Sequence, residues 1–278
     1  MPSDVTALIR TYDSARTLSR CLDSLRRQTC MPREVVVVDS GSTDGTLEIA
    51  KSHDAKIVHY PADEPFHYSR SLNLGVGRVT SKHTLIISSH VSLPDLQTVE
   101  VLRDLLTEDT SRCAASIRGA SSTPEEACIG NIKWNLVTRA NFVSRFGGIG
   151  ISNSCNLIPT ELWKRHPFDE NIPRCEDQKW LLHYLSQGWT AARVQRPQIV
   201  YDNPYYNDTK EVQDIITMAE HDINPTLTEW SSLSTRTRNA LSALRRANWR
   251  RFTYQMRVLF GLLLVKSGAS TDIESKYF

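Results

Sequence analysis

Apolar positions change period several times along the chain, and each change marks an element. Val5 to Ile9 is a short unbroken apolar run, which reads as a buried strand. Leu18, Cys21, Leu22 and Leu25 then recur at helical spacing, with Asp13 or Ser14 placed to cap the helix start. Glu34-Val35-Val36-Val37-Val38 is continuous and rich in β-branched residues, as expected of a central parallel strand covered on both faces. It runs into the turn Asp39-Ser40-Gly41-Ser42-Thr43-Asp44-Gly45, and a helix resumes near Thr46. Lys56 to Tyr60 predicts a third strand, Leu72, Val76 and Val79 a helix, and Thr84-Leu85-Ile86-Ile87 a fourth strand. This alternation predicts an α/β fold with an open, Rossmann-like, mostly parallel sheet flanked by helices. Ligands of such sheets bind outside the carboxyl ends of the strands, here Thr11, Asp39 and Ser88-Ser89-His90.

The second half is less regular. Leu96, Val99, Leu102 and Leu105 predict a helix and Cys113 to Ile117 a strand, followed by a loop from Gly119 to Glu126. Phe146 to Gly150 is a turn-rich approach to Cys155-Asn156-Leu157-Ile158, and Leu181, Tyr184 and Leu185 place a helix directly after Glu176-Asp177. From Asp202 onward come turns and then helix, with Leu241, Leu244, Phe252, Met256, Leu259 and Leu263 sharing a face opposite Arg246, Arg250 and Arg257. The apolar stretch Val258 to Val265 is far short of the ~20 residues that a membrane span needs.

The 278 residues suit one large α/β domain or a domain with an annex. With 40% hydrophobic and 23% charged residues, disordered, collagen-like and membrane-spanning classes are poor readings. Six cysteines without a C-x-x-C pair argue against a zinc site and for reduced, buried thiols in a cytoplasmic protein. Met1-Pro2-Ser3-Asp4 runs into the first strand with no basic segment or cleavage site, so a secreted protein is not expected. The net charge of +2 hides an asymmetry: no acid stands between Glu229 and Asp272, yet Arg236, Arg238, Arg245, Arg246, Arg250, Arg251, Arg257 and Lys266 do. A basic tail on an acidic body points to an anionic membrane surface or an acidic partner face. The apolar face of that tail equally suits packing on the α/β body or on a second subunit in a homodimer. No nucleic-acid partner is expected.

Three stretches carry chemistry. Asp39, at a buried strand tip before a Gly/Ser turn, suits hydrogen bonding to a base or ribose, although Asp39 or Ser42 also suits capping of the next helix. No G-x-G-x-x-G is present, so a nicotinamide-binding reading loses its main support. Ile9-Arg10-Thr11-Tyr12-Asp13, Leu18 to Gln28, and Val35 through the Asp39-Ser40-Gly41-Ser42-Thr43-Asp44-Gly45-Thr46 turn together resemble the opening of the inverting family 2 glycosyltransferases, which are GT-A enzymes using nucleotide sugars. The resemblance implies that Thr11, Tyr12 and Asp39 hold the nucleoside. Arg10 replaces the family's usual proline and Ser40 its second acidic residue, the latter altering ribose contacts. Phe66 to Gly75 is similar to the family's next segment and implies that Arg70, with a helix N-terminus, binds the diphosphate. The competing reading of Arg70 is a solvated surface charge, and the resemblance favours phosphate binding.

At Ser88-Ser89-His90 the family's fold usually carries Asp-x-Asp, whose last carboxylate ligates a divalent metal. The resemblance puts Ser89 at a donor-binding position and His90 in the metal slot, like the Asp-x-His of the polypeptide N-acetylgalactosaminyltransferases. Imidazole favours Mn2+ or zinc over magnesium, and Mn2+ is the expected cofactor. Asp202 stands near where related enzymes carry a histidine and is the candidate second ligand. An unperturbed imidazole is neutral only above about pH 6.5, so metal-dependent donor binding is expected to weaken below that. The competing reading is a lost metal, with Arg70 and the helix terminus offsetting the diphosphate.

Glu176-Asp177, before Gln178-Lys179-Trp180-Leu181, is similar to the family's Glu-Asp pair. The resemblance implies that Asp177, with Glu176 beside it, takes the proton from the acceptor hydroxyl. Both acids also suit a helix start on their own account. The resemblance covers residues 4 to 190, and within the acceptor region only Trp134 and Asn153 suggest themselves. Residues 1–205 are then expected to form the GT-A catalytic domain (1–95 nucleotide-binding, 96–205 acceptor-binding), with 206–278 a basic amphipathic helical extension. Without membrane spans or a Gln-x-x-Arg-Trp motif, transfer of a single sugar is expected. The donor would be a nucleoside-diphosphate sugar, the acceptor a hydroxyl of a glycan or lipid-linked molecule, and the setting surface-polysaccharide synthesis. The alternative is a catalytically degenerate nucleotide-sugar-binding protein, suggested by Ser88 and His90 but disfavoured by Asp177. A nucleotidyltransferase would need a Gly-rich basic loop, which Thr11 to Arg16 does not supply.

Overall fold

A computed structural model of the chain describes residues 3–121, 131–202, 208–269 and 271. The carboxyl ends of its strands form the rim on which the site is built. Strands β1 (Val5–Thr11), β2 (Glu34–Asp39), β3 (Lys56–His59) and β4 (His83–Ser88) lie parallel in the order β3-β2-β1-β4. The eight-stranded sheet continues through β9 (Cys155–Pro159), β6 (Arg112–Ile117), β10 (Thr190–Arg196) and β8 (Lys133–Val137). β9 runs antiparallel to both β4 and β6, and β8 antiparallel to β10. Because β6 and β10 again point the same way as β4, their carboxyl ends share its rim. A small second sheet joins β5 (Val91–Ser92), β11 (Ile199–Tyr201) and β7 (Ala120–Ser121).

Alternate residues of β2 explain why its pattern is unbroken. Val36 and Val38 face one apolar core, Val37 the other. Helices α1 (Ala15–Arg26), α2 (Thr46–Ser52) and α4 (Thr98–Glu108) cover one face. On the other lie α3 (Tyr68–Val76), α5 (Arg139–Phe142), α6 (Thr160–Arg165), α7 (Glu176–Ser186) and α8 (Asp208–Glu220). Gly75 of α3 lies against β1 and β2, where an added Cβ would overlap Leu8 and stand 2.7 Å from Val38 Cγ2. Gly75→Ala is expected to destabilise the fold by about 1–3 kcal/mol despite alanine's better helix propensity. A urea midpoint at or above that of the wild type would refute this packing.

The C-terminal region departs from its expected form. Rather than one amphipathic helix, it forms α9 (Trp230–Arg245) and α10 (Trp249–Lys266), separated by a turn with Ala247 at φ +50°. Asn248 caps α10 by accepting from Arg251 N at 3.0 Å. The side chains that pack inward are Leu233, Ala240, Ala243, Val258 and Leu262, whereas Leu241, Leu244, Met256 and Leu263 from the expected shared face are exposed. A continuous helical period concealed the break because the turn is only three residues long. The extension packs on the sheet domain: Val212, Ile216, Met218, Val258 and Leu262 join the core that holds Trp180 and Leu181. Residues 203–207, at the expected boundary, and most of the expected 119–126 loop lie outside the described residues, as does Cys128. The five described cysteines are free thiols.

Candidate active site

Two turns at the ends of β1 and β2 are fastened to each other. Ser40 N donates to Thr11 O at 3.1 Å, Asp13 N to Ser42 Oγ at 2.9 Å, and Thr43 N to Asp13 Oδ1 at 2.8 Å. The expected side-chain cap of α1 is absent at Ser14, whose hydroxyl meets Tyr12 O and Ser89 Oγ instead. Asp44 from the second turn does that work, accepting from Ala15 N at 3.0 Å. Asp39 is 1% exposed and accepts from Thr11 Oγ1, Gly41 N, Ser42 N and Ser42 Oγ. Its four contacts fill both carboxylate oxygens, so Asp39 organises the turn and a ligand would have to displace one of them. Ser40 Oγ is buried without a partner, and Tyr12, in the turn fastened to that of Ser40, is 39% exposed.

The end of β4 continues this wall. Ser89 is buried, 2.9 Å from Ser14 Oγ. His90 follows, with its Nε2 buried and unpartnered and its ring edge-on to Tyr201 at 4.9 Å. Pairing of Val91 with Tyr201 brings Asp202 opposite His90, and Asp202 N donates to His90 O at 2.9 Å. Strand pairing therefore joins the two residues that the sequence proposed as ligands 112 positions apart. The Asp202 carboxylate is itself held by Arg16 at 2.8 Å and Arg20 at 2.6 Å, which lower its pKa to about 2. Burial, then the nearby Arg10 and Lys210 cations, push the His90 imidazole down to about 4. The expected loss of metal ligation below pH 6.5 is thereby corrected: His90 stays neutral to far lower pH.

Glu176 and Asp177 open α7 after Cys175, which adopts φ +61°. Asp177 accepts from Asn153 N at 3.1 Å and Gln178 N at 2.9 Å, and Glu176 Oε1 accepts from Asn153 Nδ2 at 3.1 Å. Burial first, and then the Glu176 charge, raise the Asp177 carboxyl to about 7. The next residue, Ser154, accepts from Ser88 N at 3.1 Å, so one short turn links the Glu-Asp pair to the strand end carrying Ser89 and His90. Asn153 is thus a positioning residue for both acids. Trp134, the other acceptor-side suggestion, stacks with Arg112 at 4.7 Å.

The cations are arranged differently from the sequence expectation. Arg70 is half-exposed in an ion pair with Glu64 at 2.6 Å, which must open before Arg70 meets a diphosphate. Arg10, read from sequence only as a departure from proline, lies 4.5 Å over the Tyr68 ring and near His90. Arg174 reaches the same ring from 5.6 Å while paired with Asp214 of α8. Lys210, also on α8, has its pKa lowered by burial and by Arg174. A charged residue at the end of a buried strand was the signal for Arg10. Lys210 had none, because only the fold brings α8 to the rim. Among the described residues no cluster of three metal-ligating side chains occurs.

Residues 6–156 match the family model described as glycosyl transferase family 2. A PGL/p-HBAD biosynthesis glycosyltransferase of Mycobacterium bovis is 36% identical over 97 residues, spanning 33% of this chain and only 37% of that protein. In structure the chain is similar to a mannosyltransferase of Pyrobaculum calidifontis in complex with GDP-Man and Mn2+, at a TM-score of 0.68, 16% identity and coverage of 97% and 90% of the two chains. Glucosyl-3-phosphoglycerate synthase of Mycobacterium tuberculosis, in complex with Mn2+, UDP and glucosyl-3-phosphoglycerate, matches at a TM-score of 0.55 and 17% identity, covering 77% and 78% of the two chains. At these identities the structural likenesses support the GT-A fold.

Proposed function

The chain belongs to glycosyl transferase family 2, and from that membership we propose that it moves a single sugar from a nucleoside-diphosphate donor to an acceptor hydroxyl with inversion. The observation that carries this reading is Asp177: a half-buried carboxyl near neutral pKa, oriented by Asn153 and linked through one turn to the His90 strand end. Its carboxylate accepts the hydroxyl proton as the acceptor oxygen attacks the anomeric carbon from the face opposite the diphosphate. The bond to the diphosphate breaks and the nucleotide leaves as an anion, so no second acid is needed. Arg10 and Lys210 offset charge on that anion, and Ser40 and Tyr12 face the nucleoside.

A divalent metal, Mn2+ by the precedent of the similar structures, fits this reading. The neutral His90 imidazole with its unpartnered Nε2 and the neighbouring Asp202 carboxylate are the residues that would hold it. When bound, it would supply further positive charge to the leaving diphosphate. The acceptor half carries a cavity of about 320 Å³ lined by Arg118, Lys133, Arg193 and Arg196, at the carboxyl ends of β6 and β10. Four cations there favour an acceptor bearing phosphate or acid groups, as a diphosphate-linked lipid or an acidic glycan does.

A thermal-shift panel of UDP-, GDP- and dTDP-sugars, with and without Mn2+, tests donor use. One nucleotide series should raise the melting temperature, and no shift with any of them would overturn the reading. With that donor, kcat/KM should fall as pH drops through about 7, because the Asp177 base is then protonated. A flat profile between pH 5.5 and 8.5 would remove Asp177 from the role.

A further inference from the structure

α10 is apolar on two sides. One side, with Val258 and Leu262, is packed in the core; the other carries Trp249, Met256, Phe260 and Leu263, all exposed. These four fall on one stripe of the helix, and Leu241 and Leu244 of the antiparallel neighbour α9 are exposed as well. Trp249 and Phe260 are each 64% exposed. Including Trp230, seven of the twelve exposed large apolar side chains among the described residues fall in this helical pair, so the concentration is a patch and not scatter. At one end Lys266 Nζ sits 4.8 Å from the Trp230 ring, and residues 230–266 carry seven arginines and no acid.

We propose that this face docks on an anionic lipid bilayer. The charge pattern selects the occupant. Two copies packed through this face would bring two arginine-rich helix pairs together, which like-charge repulsion opposes: Asp208 of α8 sits on Arg250, but the helices themselves hold no acid. Anionic headgroups meet the same arginines favourably while the tryptophans and Phe260 enter the headgroup–acyl boundary. No described helix is long and apolar enough to cross the membrane, so contact is in-plane. The docking face is also tied to the catalytic rim. Arg250 pairs with Asp208 at 2.8 Å, Tyr254 Oη donates to Glu211 at 2.9 Å, and Arg257 donates to Thr209 at 3.1 Å. These contacts fix α10 to the first turn of α8, which carries Lys210.

Truncation is an unsuitable test, because it would strip Val258 and Leu262 from the core. The full chain should instead be co-sedimented with phosphatidylcholine vesicles containing or lacking one-third phosphatidylglycerol. Wild type should bind the anionic vesicles and release in high salt. Trp249→Ser/Phe260→Ser should lower the partition coefficient at least about tenfold, and Arg245→Gln/Arg246→Gln should lower it measurably on anionic vesicles only, with unchanged melting temperatures. Equal wild-type binding to both vesicle types, or wild-type binding by both variants, would overturn the proposal. So would a wild-type dimer in light scattering that the apolar double variant dissolves, since that would assign the face to a second copy.

Discussion

Asp177→Asn should lower kcat for sugar transfer at least about 100-fold while donor affinity stays within a few-fold of wild type, because the carboxylate acts on the acceptor proton. Calorimetry of the donor and initial rates on the same preparations separate the two effects. Residual turnover above about a tenth of wild type would remove the general-base role. The same variant carries a second signature. The folded Asp177 pKa of about 7 lies above its ordinary value of 3.8, so between those pH values folding favours the protonated form and stability falls as pH rises. That contribution is complete at the acid end and lost by about pH 7. Asp177→Asn lacks it, so its stability should decline less than that of wild type between pH 4 and 7. A shared decline would mean that the Asp177 carboxyl is not perturbed.

His90→Ala should weaken donor binding about tenfold or more in saturating Mn2+ and abolish the response of affinity to a chelator, which wild type should show. Calorimetric titration of the nucleotide under four conditions, each protein with Mn2+ and with chelator, reads this without any acceptor. Four equal affinities would leave the diphosphate to Arg10, Lys210 and Arg70. Since burial and Arg10 keep His90 neutral down to about pH 4, wild-type affinity should hold from pH 7.5 to 5.5, unlike that of an ordinary imidazole.

Local pattern carried much of this site. The Val35 to Thr46 run announced both a buried strand and the turn at its carboxyl end, and the Glu-Asp pair announced itself by opening α7. Strand direction was less visible: Cys155 to Ile158 is buried on both faces of the sheet, as a parallel central strand would be, and yet β9 runs antiparallel. Periodicity reports burial and not polarity of the chain. Function that depends on distant pairing was equally hidden. Lys210 and Asp214 sit in a helix placed outside the catalytic domain by sequence, and only core packing brings them to His90 and Arg174. Asp39 shows the opposite case, a residue correctly located at the rim whose oxygens the turn itself already fills.

Single displacement at Asp177 is tested most directly by the anomeric configuration of the new linkage, read from the anomeric proton couplings of the purified product by NMR. A donor sugar α-linked to its diphosphate should yield a β-linked product. An α-linked product would contradict the account, because one in-line attack assisted by one base cannot retain configuration.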